Sequence, residues 1–136
     1  MKDDLLQQIR SAFSDVTRPT RITKHVAEAL DDEWVLSNAR WMELYALDTE
    51  QQWTELSDSD IEEFCSILPW LDDKSLQFYL PAFMCYCLRR FPDEGHRAVC
   101  DTQEACADAR RTGHFSPGQA ACVRAFTALY LAKSTE

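Results

Sequence analysis

Three histidines (His25, His96 and His114) and six cysteines are the side chains of this 136-residue sequence best suited to chemistry. His96 and Cys100, four apart, would share a helix face and could hold a metal ion, with Cys106 or His114 joining. Cys85 and Cys87 could not chelate from one helix, because positions two apart project about 200° apart. No Cys-x-x-Cys pair occurs, and structural zinc usually draws on such pairs. The expectation is therefore reduced, buried thiols with no metal and no other cofactor. His25 with Glu28 and Asp32 would set an imidazole beside two carboxylates on one helix face. That arrangement raises the pKa of an imidazole and suits acid–base work, although a solvated helix face has the same spacing. None of the histidines stands in a recognisable nucleophile context, and no glycine-rich loop is present to cradle phosphate. No catalytic residue is assigned.

Charge is the stronger signal. The net charge is −9, yet residues 28–73 hold fourteen carboxylates against Arg40 alone, for −13, while the flanking segments each carry +2. Such a surface repels nucleic acid and attracts basic groups. Trp34 and Trp41 flank the start of this run, and Trp53 sits in an otherwise polar stretch. Tryptophans among carboxylates are what a binding surface for a basic protein would present; the same indoles would also suit a core.

These groups need a scaffold, and the periodicity is helical throughout. Leu5, Leu6, Ile9, Ala12 and Phe13 form the stripe of a first helix. A second pattern runs from Ile22 through Val26, Leu30 and Trp34 to Trp41 and Leu44. Asp31-Asp32-Glu33 lies midway, and one long helix or two shorter ones both fit. Ser57 caps the next helix, and Asp72 caps a central one. Leu76, Leu80, Phe83, Met84, Cys87, Leu88 and Phe91 stripe that central helix, and its other side is apolar too, so it is expected in the middle of the core. Pro81 either kinks it or starts a new helix. Residues 96–112 are alanine-rich with a thin apolar stripe, which predicts a peripheral helix. Ser116, Pro117 and Gln119 make a capping box for the last helix. Three glycines in the chain argue against an all-β fold. The expectation is an all-α, single-domain bundle of five to seven helices around a Pro-bent central helix. No apolar run is long enough to span a membrane, and MKDDLLQQIR holds no signal-peptide core, so a cytoplasmic protein is expected.

The chain resembles a family of small bacterial helical proteins of unknown function. The resemblance rests on Phe13 followed by Arg18-Pro19, on Trp53-x-x-Leu56, on Ile61 and residues 68–71, and on Phe78-Tyr79-Leu80-Pro81-Ala82-Phe83-Met84. Phe115-Ser116-Pro117 completes it. It implies a bacterial source and a helical fold, and carries no activity, cofactor or catalytic residue.

The resulting functional expectation is a non-enzymatic binding protein that recognises a basic protein partner. Its candidate contact residues are Asp31, Asp32, Glu33, Trp34, Trp41, Trp53, Glu55, Asp58, Asp60, Glu62 and Glu63. One concrete form is an immunity or antitoxin-type inhibitor covering the cationic cleft of a nuclease-like toxin. The alternatives are a small enzyme or metal-dependent protein using His25 or His96/Cys100, and a structural subunit of a larger assembly.

Overall fold

The computed structural model describes residues 2–134. Among them lie eight α-helices and no strand: α1 (Lys2–Ala12), α2 (Lys24–Glu33), α3 (Asn38–Leu47), α4 (Asp58–Glu63), α5 (Asp73–Arg90), α6 (Arg97–Ala107), α7 (Ala109–Thr112) and α8 (Pro117–Ser134). Short 3₁₀ turns at Trp53–Glu55 and Leu68–Trp70 join them. The class is as expected and the helix number is higher. The long pattern after Ile22 splits into α2 and α3, and the alanine-rich segment splits at Asp108, which caps α7. No helix among the described residues is long and apolar enough to cross a membrane.

The central helix is the predicted one. α5 is buried on nearly every side from Ser75 to Leu88, with Phe78, Tyr79, Phe83 and Tyr86 fully enclosed. It runs unbroken through Pro81, so no new helix starts there. An interior proline costs about 3 kcal/mol. Burying each large apolar side chain of α5 returns roughly 1.5–3 kcal/mol, so packing decides. Asp72 begins the helix by accepting the Ser75 N–H at 2.9 Å.

Around α5 stand α1, α4, α6 and α7, while α8 closes the far side against α1 and α6. The Ser116–Gln119 capping box forms as the spacing predicts, with both reciprocal bonds present. Gln119 is also buried and donates to the Ala12 carbonyl at 3.1 Å, tying the start of α8 to the end of α1. α6 is not peripheral. Ala98, Val99, Thr102, Ala105 and Cys106 are buried against α5 and α8. The thin stripe works because small side chains let helices approach closely, and the Thr102 hydroxyl is satisfied by the Ala98 carbonyl at 2.7 Å.

Trp53 belongs to the core. Only 5% of it is exposed, and its indole N–H donates to the Phe13 carbonyl at 3.0 Å, capping the chain as it leaves α1. Trp53→Phe keeps most of the packing and leaves that carbonyl short of a donor. The expected cost is about 1 kcal/mol, read as a lowered urea midpoint with an unchanged slope.

Candidate interaction surface

α2 and α3 form a hairpin with a small core of its own. Val26, Ala29 and Leu44 are buried there, with Ile22, Leu30, Leu36, Trp41 and Tyr45 packed around them. α3 rests mainly on α2 and not on α5. Polar bonds therefore do much of the fixing. Arg18 donates to the Asp48 carbonyl at 2.6 Å, to the Glu50 carbonyl at 2.7 Å and to the Tyr45 hydroxyl at 3.2 Å. Tyr45 passes its own proton to the Pro19 carbonyl at 2.9 Å.

Below this clamp lies a buried charge cluster. The Lys24 ammonium bridges Asp48 Oδ1 and Glu50 Oε2, each at 2.8 Å. Tyr79 of α5 donates to Glu50 Oε1 at 2.7 Å and accepts the Lys24 backbone N–H at 3.0 Å. His25 gives its backbone N–H to Asp48 Oδ2 at 3.0 Å, and its Nδ1 lies 2.5 Å from Asp48 Oδ1. Burial alone would push the Asp48 pKa up. Hydrogen bonds from Lys24 and His25 more than reverse that and hold it below the usual carboxylate range. Burial likewise opposes the Lys24 charge, and its bonds to Asp48 and Glu50 outweigh it, so its pKa is raised. Burial, then the Glu50 charge, pushes the Tyr79 phenol far up and keeps it a donor. Arg18-Pro19 and Tyr79, noted above only as matching residues, meet in this cluster.

The outer side of the hairpin is different. Trp34 ends α2 with φ 65° and ψ −41°. The Val35 N–H bonds the Glu33 carbonyl at 2.7 Å across it, which makes a classic γ-turn, a rare and strained conformation for a bulky residue. The indole so displayed is 76% exposed. Val35, next in the chain, and Met42 and Leu47 of α3 are exposed too. Asp32 and Glu33 of α2 and Glu43 of α3 are also exposed, and Glu33 is partly offset by Arg40 at 2.9 Å. Exposed apolar residues gathered in one place, rimmed by charge, mark an interaction site more often than scattered ones do. Glu28, on the same helix, has its pKa raised by burial and further by Glu63, Asp32 and Asp31, with His25 opposing.

The other predicted contact residues, Glu63 apart, are engaged in bonds within the fold. Asp31 accepts the Trp70 indole N–H at 2.8 Å. Trp41 is half-buried, donating to the Arg21 carbonyl at 2.7 Å under the Arg21 guanidinium. Glu55 caps the N–H groups of Gln51 and Gln52, and Asp60 completes the Ser57 capping box. Asp58 pairs with Arg89 and Arg90, and Glu62 accepts from Tyr86 at 2.7 Å. Glu63 is exposed. The acidic middle of the chain is thus not one continuous display: Asp32, Glu33, Trp34 and Glu43 are exposed on the α2–α3 hairpin, Trp53 is internal, and Glu43, Val35, Met42 and Leu47 are surface residues that charge-and-tryptophan reasoning passed over. Met42 and Leu47 are apolar residues of α3, and nothing in the sequence separates them from a core-facing stripe.

Of the thiols expected to be buried, Cys85, Cys87, Cys106 and Cys122 are, Cys65 is partly so, and Cys100 is exposed. Cys85 and Cys87 are buried and their thiols pushed up to about 11 and about 12 by that burial. His96 caps α6, its Nδ1 accepting the Ala98 N–H at 3.0 Å, so that nitrogen is engaged. Among the described residues no three His, Cys, Asp or Glu side chains converge to hold a metal ion.

A family model described as a family of unknown function, DUF6714, matches residues 1–129. No curated protein and no solved structure matches the chain.

Proposed function

We propose, for a chain that belongs to the DUF6714 family and takes no assigned activity from it, a binding function: the Trp34 face recognises a basic protein partner. The observation that carries this reading is Trp34 itself, a large indole held out to solvent by a strained turn directly after exposed Asp32 and Glu33. Strain of this kind costs on the order of 1–3 kcal/mol and is retained where the displayed group is used. An aromatic anchor with an acidic rim fits a surface with lysine or arginine around an apolar recess. In its most specific form the protein is a bacterial, cytoplasmic inhibitor that covers the cationic cleft of a nuclease-like toxin.

Recovery of a basic partner by a matrix carrying the protein, and its loss with Trp34→Ala, tests the reading. Association should slow steeply as salt rises from about 0.05 to 0.5 M, because exposed charges steer the encounter. A cationic partner also favours ionised Glu28, whose pKa is raised in the free protein. Binding should therefore release protons and weaken as pH falls through that raised pKa. An affinity indifferent to both salt and acid sinks the proposal.

One observation favours a second reading, an enzyme that uses His25: its Nδ1 is held 2.5 Å from the buried Asp48 carboxylate, as an orienting acid holds a general base. His25→Ala, compared with Trp34→Ala for cellular effect, separates the two.

A further inference from the structure

We propose that the partner segment taken by this face is an amphipathic α-helix, laid along α3 with its apolar stripe inward and lysines or arginines on both flanks. The inference rests on the face being a site for a basic partner. It adds the shape of what is bound. α3 is packed on one side only, where Leu44 and Trp41 face α2. At 100° per residue, Ala46, Ala39 and Glu43 fall on the opposite side, in that order between Met42 and Leu47, and all five are exposed. Met42, Ala46 and Ala39 form a narrow apolar strip with Glu43 along one edge, and the small alanines let a second helix approach to the ordinary ~8–10 Å between axes. Met42 is unbranched and can fit an irregular neighbour. Trp34 and Val35 stand at the N-terminal end of this strip, where an anchor would fix the register. An extended peptide would need a sheet edge, and the described residues contain no strand.

Charge decides the occupant. A second copy on this face would set Asp32, Glu33 and Glu43 against their own equivalents, a like-charge arrangement that costs affinity. A helix with basic flanks meets the same carboxylates favourably. The ten residues of α3 span about 15 Å, so the partner contacts lie within roughly three turns, at i, i+3 or i+4, and i+7.

The test uses the full chain and three synthetic 16-residue peptides: one with leucines at that spacing and flanking lysines, one scrambled from the same composition, and one with glutamate replacing lysine. Affinity is read by titration and location by backbone amide shifts. Expected is binding of the helical peptide with shifts at α3 and Trp34, about tenfold or more weaker binding of the scrambled peptide, and none of the acidic one. Ala46→Arg, an exposed change with an unaltered urea midpoint, should weaken the helical peptide about tenfold or more, and Leu131→Arg on α8 should change nothing. Equal binding of helical and scrambled peptides, lost with Trp34→Ala but not with Ala46→Arg, overturns the helix and leaves the basic-partner reading standing. Shifts confined to other elements, or no binding by either basic peptide, overturn both.

Discussion

Replacing Lys24 with methionine is expected to cost the fold about 3–5 kcal/mol at neutral pH, the range found when one member of a buried ion cluster is removed. Methionine keeps most of the stem's volume and removes the only ammonium between Asp48 and Glu50. Arg18 cannot substitute for it, since its guanidinium is bonded to the carbonyls of those two residues and to Tyr45. The pH dependence separates lost charge from lost packing. In the native chain the Asp48 pKa is depressed, so its contribution is present above the unfolded value near 4 and is lost only as pH falls through the lower folded value. In the variant buried Asp48 loses its bond to the ammonium, so its pKa rises. Its penalty is largest at neutral pH and fades as it takes up a proton in acid. The difference in urea stability between the two proteins should therefore shrink steadily from pH 7 to pH 3. A cost below about 1 kcal/mol, or one that stays constant with pH, would show that the ammonium is not what neutralises this cluster. Removing all the charges together, as Lys24→Met with Asp48→Asn and Glu50→Gln, should recover most of the loss.

That cluster also marks where the sequence stops being legible. Helix starts could be read because capping is local: Ser57, Asp72 and Ser116 act on groups three residues away. The central position of α5 was legible because a helix apolar all round has nowhere else to go. Asp48 and Glu50 were not, because their neutralising partner lies 24 and 26 residues back along the chain, and a carboxylate in a polar stretch looks the same whether it is solvated or paired. Trp53 failed for a related reason. Its neighbours Gln51, Gln52 and Thr54 are exposed, and only the 3₁₀ turn and the Phe13 carbonyl carry its indole inward. α6 misled in the opposite sense, since alanine registers weakly in a hydrophobic stripe although it packs closely. For the site, Trp34 and its acidic neighbours could be picked out. The apolar outer side of α3 could not be separated from a core-facing stripe until the packed side was known.

Trp34→Gly is expected to make the protein more stable and a worse binder. Glycine adopts positive φ without the steric cost that a β-carbon imposes, and Trp34 holds φ 65° while burying little of its surface. Relief of the turn should raise stability by up to about 1 kcal/mol, a modest upward shift in Tm. Loss of a buried aromatic anchor from an interface costs about 2 kcal/mol or more, which is roughly thirtyfold in Kd. The two effects have opposite signs, and few alternative roles for this residue give that pair. A tryptophan kept for packing would lower stability on removal. An exposed tryptophan with no role would leave affinity unchanged whatever it did to stability. Trp34→Ala supplies the control, because it removes the same indole while keeping a β-carbon at the strained position. Its affinity should match that of Trp34→Gly, and its stability should stay near that of the native chain. Should Trp34→Gly bind a basic partner as tightly as the native protein, the turn would be a local strain without a purpose in recognition, and the acidic rim would have to act without an anchor.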